Sequence, residues 1–126
     1  MSFYNLEDTF VIAEIGGNHE GNLDYAKKLL VQAAYAGADA VKFQSYSADG
    51  MVSSFEDPDR HKHFKKFSLQ VSDYIELSKS ADELGVMFMS SVWDSYYLRA
   101  LNSHIPIHKI GSGDLTNYPL IKEIIK

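Results

Sequence analysis

Short apolar runs alternate with longer amphipathic stretches along this chain, and this alternation restricts its fold more than any other feature. The apolar, β-prone runs fall at residues 9–15, 40–44, 86–90 and 107–110. Apolar positions at helical spacing follow them, in residues 23–34, 73–84, 94–101 and from 117 onward. Four successive strand–helix units predict an α/β fold in which helices pack outside a parallel sheet.

Polar residues and glycines mark the ends of the predicted helices. The expected amino-terminal caps, in chain order, are Asn22, Ser72, Asp94 and Asn117. Gly37 and Gly85 stand where a glycine commonly ends a helix, and Pro119 falls in the first turn of the last helix. These signals place the helix boundaries independently of the apolar pattern.

A long polar segment, residues 45–71, separates the second strand from the second helix. We expect it to be a functional or mobile loop, because loops of that length are uncommon inside compact domains. A closed (β/α)8 TIM-type barrel needs eight units and about 250 residues. We therefore expect residues 1–126 to be the N-terminal half of such a barrel, about four βα units. The alternative is a small, open, doubly wound α/β sheet that binds phosphate, with helices on both faces.

The composition excludes several classes of protein. A formal net charge of −5 gives no basic face for nucleic acid or an anionic membrane, and the absence of cysteine excludes disulfides and thiolate metal sites. No apolar stretch is long enough to cross a bilayer, and the first eight residues do not resemble a signal peptide. We expect a cytoplasmic protein with no nucleic-acid or membrane partner.

Polar side chains collect where the predicted strands end, which is where α/β proteins place catalytic groups. Lys42 and Gln44 are two residues apart, so they share the face opposite Val41 and Phe43. The same alternation turns Lys109 inward. The other polar groups at strand ends are Glu14, Ser90, Ser91, Ser112 and Asp114. Two inward lysines beside hydroxyls and a glycine-rich turn indicate a site for phosphate and carboxylate groups.

Several of these residues have alternative interpretations. A buried lysine needs a partner, either the Glu14 carboxylate or a bound anion. His19, which follows Asn18, is open to three roles: metal ligand, substrate contact or ordinary loop histidine. Trp93 fits packing and substrate stacking about equally well.

Three segments, residues 11–30, 36–46 and 108–121, together resemble the N-acetylneuraminate (sialic acid) synthase family. They read VIAEIGGNHEGNLDYAKKLL, AGADAVKFQSY and HKIGSGDLTNYPLI, and the resemblance covers about residues 10–126. It implies a (β/α)8 barrel, usually followed by an antifreeze-like domain, that works as a dimer. The implied reaction condenses phosphoenolpyruvate with N-acetylmannosamine or a related N-acetylhexosamine, with Mn2+ or Mg2+ polarising the acceptor aldehyde. Water then adds to the enolpyruvate-derived carbon, and phosphate leaves.

The resemblance also implies roles for single residues. Glu14 matches the glutamate at the reaction centre, whereas Lys42 and Lys109, assisted by Ser112, match groups that hold phosphoenolpyruvate. Gln44 matches a glutamine on the sugar side. The remaining predicted substrate-binding residues are Asn18 and His19, from the first loop, and Ser91.

The sequence departs from the family pattern at two places. Residues 90–93, which include Ser91 and Trp93, read Ser-Ser-Val-Trp, whereas the family usually has Ser-Thr-Pro-Phe there. Asp114 replaces a glutamate with a sugar-binding or acid–base role, so Glu14 and Asp114 are the predicted catalytic pair. A carboxylate that is shorter by one methylene retracts by roughly 1 Å, a misplacement that can cost about 100-fold in rate. The acceptor sugar is therefore expected to differ.

In the family, the metal-ligating histidines and further substrate contacts come from the second half of the barrel. We therefore expect no metal ligands within residues 1–126, negligible turnover by this chain alone, and association with another copy or with a missing barrel half. The alternative is a non-catalytic half-barrel that dimerises and binds anionic metabolites.

Overall fold

The computed structural model describes residues 9–126, where three parallel strands form a sheet with the order β1-β2-β3. The strands are β1 (Ile12–Gly16), β2 (Ala40–Ser45) and β3 (Met87–Val92). The helices are α1 (Leu23–Tyr35), α2 (Ala48–Met51), α3 (Pro58–Phe67), α4 (Val71–Glu83), α5 (Ser95–Leu101) and α6 (Tyr118–Ile124). Two short 3-10 turns lie at Asn102–His104 and Ser112–Asp114. The predicted α/β class and the parallel sheet are confirmed. The first eight residues, and the expectation about a signal peptide, lie outside the described residues.

The two faces of the sheet differ sharply in chemistry. Val41 and Phe43 of β2 and Phe88 of β3 are buried against the helices. Buried side chains from α1, α4 and α5 complete this core, namely Ala26, Leu30, Tyr74, Leu77, Ala81, Tyr97, Leu98 and Leu101. Lys42 and Gln44 alternate with Val41 and Phe43 along β2 and so face the other side. The described helices that pack on the sheet therefore cover one face, as in a barrel wall. A doubly wound sheet would have them on both.

Buried hydroxyl groups form hydrogen bonds at the end of β2, within β3 and in the loop that precedes α4. The Tyr74 hydroxyl donates to the Gln44 carbonyl oxygen at 2.6 Å, and the Tyr97 hydroxyl donates to the Leu69 carbonyl oxygen at 2.8 Å. The hydroxyl oxygens of Ser45 and Ser90 lie 2.7 Å apart inside the core. Each of these buried polar groups is paired, as buried polar groups must be to avoid a desolvation penalty.

Three of the four predicted helix caps are confirmed, namely Asn22, Asp94 and Asn117. The prediction of Ser72 as a cap was wrong, because the cap of α4 is Gln70. The Gln70 amide donates to the Asp73 carboxylate at 2.9 Å, which begins the helix two residues earlier than the apolar pattern indicated.

The predicted fourth strand at residues 107–110 was wrong. Only an isolated parallel bridge joins Ser90 to His108, and the Lys109 amide donates to the Ser90 carbonyl oxygen at 3.4 Å. The chain turns at Gly111, where a short 3-10 turn begins, and the described residues of this segment form no ladder with β3 beyond that bridge.

The prediction of one long loop at residues 45–71 was also wrong, because the segment contains α2 and α3. Ser47 caps α2 and accepts from the Gly50 amide at 3.1 Å, while Asp57 caps α3 ahead of Pro58. No residue of α3 is buried. A helix without a buried stripe leaves little apolar pattern to read in the sequence.

The loop between β1 and α1 is held by a buried histidine. His19 has no exposed surface, and its Nδ1 accepts a hydrogen bond from the Gly21 amide at 3.1 Å. The Nε2 atom is buried and has no partner among the described residues. Burial lowers the pKa of His19, which favours the neutral ring with its proton on Nε2.

None of the described helices has the length and apolar character needed to cross a membrane.

We predict that Gly21→Ala lowers the free energy of unfolding by about 2 kcal/mol more than Gly37→Ala does. Both glycines have positive φ, +73° for Gly21 and +88° for Gly37, so both variants carry the same type of backbone strain. A Cβ on Gly21 would lie 2.1 Å from the carbonyl oxygen of Lys66, whereas a Cβ on Gly37 meets nothing within 4 Å. Urea unfolding of the two variants measures the difference, and equal losses would contradict the steric argument.

We predict that acidification from pH 7.5 to 5.5 destabilises the chain partly through His19. Its folded-state pKa is lowered, whereas the unfolded chain protonates it near the ordinary value of about 6.5. Below a pH of about 6.5 the unfolded state therefore binds more protons than the folded state. The free energy of unfolding decreases as the pH is lowered through this range. In His19→Asn the amide oxygen can still accept from the Gly21 amide, so we expect a shallower fall in urea-unfolding measurements.

We expect the same behaviour from His108→Asn, because burial also lowers the pKa of His108. Each single variant should remove part of the pH dependence. An unchanged slope in His19→Asn would show that the β1–α1 loop does not carry this effect.

Candidate functional site

A cleft of about 570 Å³ opens at the carboxyl ends of the strands. Parallel strands bring their carboxyl ends to one edge of the sheet, so residues distant in sequence meet there. The lining of the cleft combines charged, amide, hydroxyl and apolar groups with three glycines. The lining residues are Glu14, Lys42, Gln44, Gly50, Met51, Ser91, Trp93, Lys109, Gly111, Ser112, Gly113, Asp114 and Asn117.

An ion pair across the first two strands forms one wall of the cleft. Glu14 of β1 lies opposite Lys42 of β2 in the parallel register, and the Lys42 ammonium contacts the Glu14 carboxylate. The Lys42 side chain is only 12% exposed, whereas the Glu14 side chain is 48% exposed. The carboxylate supplies the countercharge that a largely buried ammonium group requires, and it remains accessible from the cleft.

Gln44 and Ser91 extend this wall because their positions are paired in the register between β2 and β3. Gly16 lies beside them, at a bulge in β1 and with a φ of +56°. A Cβ at this position would lie 3.0 Å from a Glu14 carboxylate oxygen and 3.4 Å from the Gln44 amide nitrogen. Glycine therefore leaves room for both polar side chains at the strand ends.

The chain after β3 supplies the opposite wall. Lys109 follows the bridge at His108, and the glycine-rich turn after it carries Ser112 and Asp114. The turn is closed by the Asp114 amide, which donates to the Gly111 carbonyl oxygen at 3.0 Å. Lys109 thus lines the cleft as the alternation predicted, although the segment that carries it is not a strand.

Seven of the nine predicted site residues line this cleft, namely Glu14, Lys42, Gln44, Ser91, Lys109, Ser112 and Asp114. Asn18 and His19 are not among the lining residues. The Asn18 amide donates to the Ile15 carbonyl oxygen at 2.9 Å, and the His19 ring is buried in the core, 6.2 Å from the Phe43 ring. Their placement gives no support to the predicted contact with a substrate.

The sequence reading missed Gly50, Met51 and Asn117 as lining residues and left Trp93 undecided. Gly50 and Met51 belong to α2, inside the segment expected to be a loop. The available signal was Ser47, a helix-capping residue three positions before Gly50.

The cleft balances two ammonium groups, on Lys42 and Lys109, against two carboxylates, on Glu14 and Asp114. The ammonium groups and the Ser112 hydroxyl suit an anion, and the amide and carboxylates suit the hydroxyl groups of a sugar. The described residues contain no group of three or more metal-ligating side chains. The two carboxylates that line the cleft have no third metal-ligating side chain with them, and that of Glu14 is engaged by Lys42, so these residues do not by themselves complete a divalent-metal site.

Comparisons with known proteins bear on this arrangement. The chain is 41% identical to the uncharacterised protein MJ1065 of Methanocaldococcus jannaschii, over 95% of this chain and 35% of that protein. It is 36% identical to human N-acetylneuraminate-9-phosphate synthase over 93% of this chain and 36% of the enzyme. Its identity with the N,N'-diacetyllegionaminic acid synthase of Campylobacter jejuni is 35%, over 96% of this chain and 40% of the enzyme. The chain thus spans about a third of the length of these relatives.

The fold agrees with these sequence similarities. The chain resembles the crystal structure of an N-acetylneuraminic acid synthetase from Leptospira borgpetersenii with a TM-score of 0.86 and 27% identity, covering 96% of this chain and 44% of that one. A sequence model of the NeuB family matches residues 29–126. The chain therefore belongs to the NeuB family, whose named members matched here include synthases of sialic, legionaminic and pseudaminic acids.

Proposed function

We propose that this chain provides the phosphoenolpyruvate-binding wall of a nonulosonic acid synthase, which condenses phosphoenolpyruvate with N-acetylmannosamine or a related N-acetylhexosamine in carbohydrate biosynthesis. The observation that carries the proposal is the placement of Lys42, Lys109 and Ser112 around one cleft with Glu14. Because the chain spans only part of its relatives, the transferase activity is proposed for the complete protein. Residues 1–126 would then be one part of a barrel domain.

The two lysines are proposed to hold the anionic donor. Phosphoenolpyruvate carries a phosphate and a carboxylate, and each can accept charge-assisted hydrogen bonds from an ammonium group. The Ser112 hydroxyl adds a neutral donor from the glycine-rich turn. A bound anion would also draw Lys42 from its pair with Glu14, so that the carboxylate becomes available at the reaction centre.

The acceptor is proposed to bind beside Gln44, Ser91 and Asp114. The amide and the carboxylate can fix sugar hydroxyls, and the carboxylate can exchange a proton with the acceptor. The carbon–carbon bond forms between the methylene carbon of phosphoenolpyruvate and the acceptor aldehyde, and Glu14 lies within the same cleft. A divalent metal, Mn2+ or Mg2+, would polarise that aldehyde in the complete enzyme. The described residues do not by themselves complete a site for such an ion, so no step of the proposal passes through it.

A second candidate function is a non-catalytic anion-binding module that associates with another copy of itself. The observation in its favour is the edge of the sheet, where Val11 and Ile12 are 50% and 42% exposed. Exposed apolar residues on an edge strand favour association. This candidate predicts the same anion binding without condensation by the complete protein. An assay of nonulosonic acid formation by the full-length protein separates the two.

A cytoplasmic location remains part of the proposal.

We predict that Lys42→Met raises the Kd for phosphoenolpyruvate at least about 10-fold, because a charge-assisted hydrogen bond contributes about 1.5–3 kcal/mol. Calorimetric titration of the 126-residue chain measures this change. The matched control is Lys27→Met, since Lys27 also pairs with a glutamate, Glu76, but does not line the cleft.

The control should bind phosphoenolpyruvate as the unmodified chain does. Equal affinity in Lys42→Met, or no binding by the unmodified chain, would refute the proposed donor site.

A further inference from the structure

Two large apolar side chains, Met51 and Trp93, line the cleft beside its charged groups. None of the roles proposed above uses them. An indole ring and a thioether in a cleft that is otherwise polar indicate contact with an apolar part of a ligand. The contacts of both residues show how firmly this part of the cleft, which we call the apolar wall, is held.

Trp93 is fixed by stacking. Its ring lies 5.1 Å from that of Tyr46, centroid to centroid, with only 14° between the planes. Tyr46 is itself 4% exposed and meets the Phe64 ring edge-on at 5.4 Å. The Trp93 amide also donates to the Ser45 carbonyl oxygen at 3.0 Å. The indole is therefore held against Tyr46, which itself packs on Phe64 of α3.

Met51 is held indirectly, through Asp94. One oxygen of the Asp94 carboxylate accepts from the Ser47 amide at 2.8 Å and from the Ser47 hydroxyl at 3.0 Å. The Ser47 hydroxyl accepts in turn from the Gly50 amide at 3.1 Å, which begins the helix that carries Met51. The other carboxylate oxygen accepts from the Tyr97 amide at 2.8 Å and caps α5.

The packing at this junction is close. A Cβ on Gly50 would lie 2.9 Å from the Ser47 hydroxyl and 3.1 Å from the Asp94 carboxylate. Glycine at position 50 therefore lets α2 approach Ser47 and Asp94 closely, and the hydrogen bonds from Ser47 to the carboxylate hold the start of α2 against α5. Asp94 sets the position of Met51 relative to Trp93, its own neighbour in the chain.

We propose that Met51 and Trp93 determine which acceptor the cleft takes, by contacting an apolar substituent such as the methyl of an N-acyl group, and that Asp94 is the positioning residue that holds them. The inference rests on the proposed function, because the ligand it concerns is the acceptor hexosamine. Phosphoenolpyruvate gains little from such a wall, because its phosphate and carboxylate prefer the lysines. Discrimination by one methyl group in an apolar pocket is about 10-fold or more.

The test compares N-acetylmannosamine with N-formylmannosamine, which keeps the amide and lacks the methyl. Trp93 is the single tryptophan of the chain, so its fluorescence reports binding at the apolar wall directly. We expect the unmodified chain to bind the N-acetyl sugar about 10-fold more tightly than the N-formyl sugar. In Met51→Ala that ratio should fall below about 3, while the calorimetric Kd for phosphoenolpyruvate changes by less than about twofold.

Asp94→Ser separates positioning from helix capping. A serine still caps α5, because its hydroxyl can accept from the Tyr97 amide, but it is too short to hold Ser47 as well. We expect this variant to lose the N-acetyl preference while keeping its affinity for phosphoenolpyruvate and its circular dichroism spectrum. The matched control is Asn22→Ser, the same kind of cap exchange at α1, where the preference should remain.

The outcomes separate this inference from the proposed function. If phosphoenolpyruvate binds and its binding depends on Lys42, but the unmodified chain shows no N-acetyl preference, the inference fails and the proposed function stands. A preference that persists in both Met51→Ala and Asp94→Ser also overturns it. If the unmodified chain does not bind phosphoenolpyruvate, the proposed function fails and this inference fails with it.

Discussion

The pleat of the parallel sheet is the constraint on which the cleft depends, because it sends alternate side chains of each strand to opposite faces. On β2 it buries Val41 and Phe43 against the helices and presents Lys42 and Gln44 to the other side. A register shift of one residue would place an ammonium group in the apolar core and a phenylalanine in the cleft. The apolar core and the polar site therefore stabilise the same register, and neither can change without the other.

The Glu14–Lys42 pair fits this arrangement. A largely buried lysine without a partner would destabilise the fold, and the β1–β2 register places a carboxylate directly opposite it. The carboxylate is the more exposed partner, so the pair is open to competition from an anion in the cleft. The sequence left two interpretations of Lys42 open, ion-pair partner and anion ligand. Both are compatible with the structure, because Lys42 can pair with Glu14 before an anion binds and with the anion once it has bound.

The sequence was sufficient to predict the parts of the structure in which buried and exposed side chains recur at the regular spacing of a strand or a helix. Alternation along β2 predicted that Lys42 and Gln44 share one face, and both line the cleft. Lys109 also lines it, although its segment is not a strand. Helices with a wide apolar stripe, such as α1, were also found. The resemblance to the family added the implied roles of Ser112 and Asp114, which were already among the polar groups at the predicted strand ends.

The parts that the sequence did not predict have no readable apolar period, or depend on a contact that the sequence does not reveal. Helix α3 has no buried residue, so it leaves no apolar period, and residues 107–110 look like a strand although they pair at one bridge only. His19 looks polar in sequence but is buried, because the Gly21 amide turns back onto its ring. These features follow from the folded arrangement of the chain, which the spacing of apolar residues does not reveal.

The tyrosine hydroxyls that bind the Gln44 and Leu69 carbonyl oxygens hold two different parts of the chain. Both come from α4 and α5, which lie outside the α2–α3 segment. Tyr74 holds the end of β2 at Gln44, whereas Tyr97 holds Leu69, which follows α3 in the same segment as Gly50 and Met51. A change inside α2 or α3 can therefore alter the apolar wall, while the Tyr74 hydrogen bond still fixes the strand that carries Lys42 and Gln44.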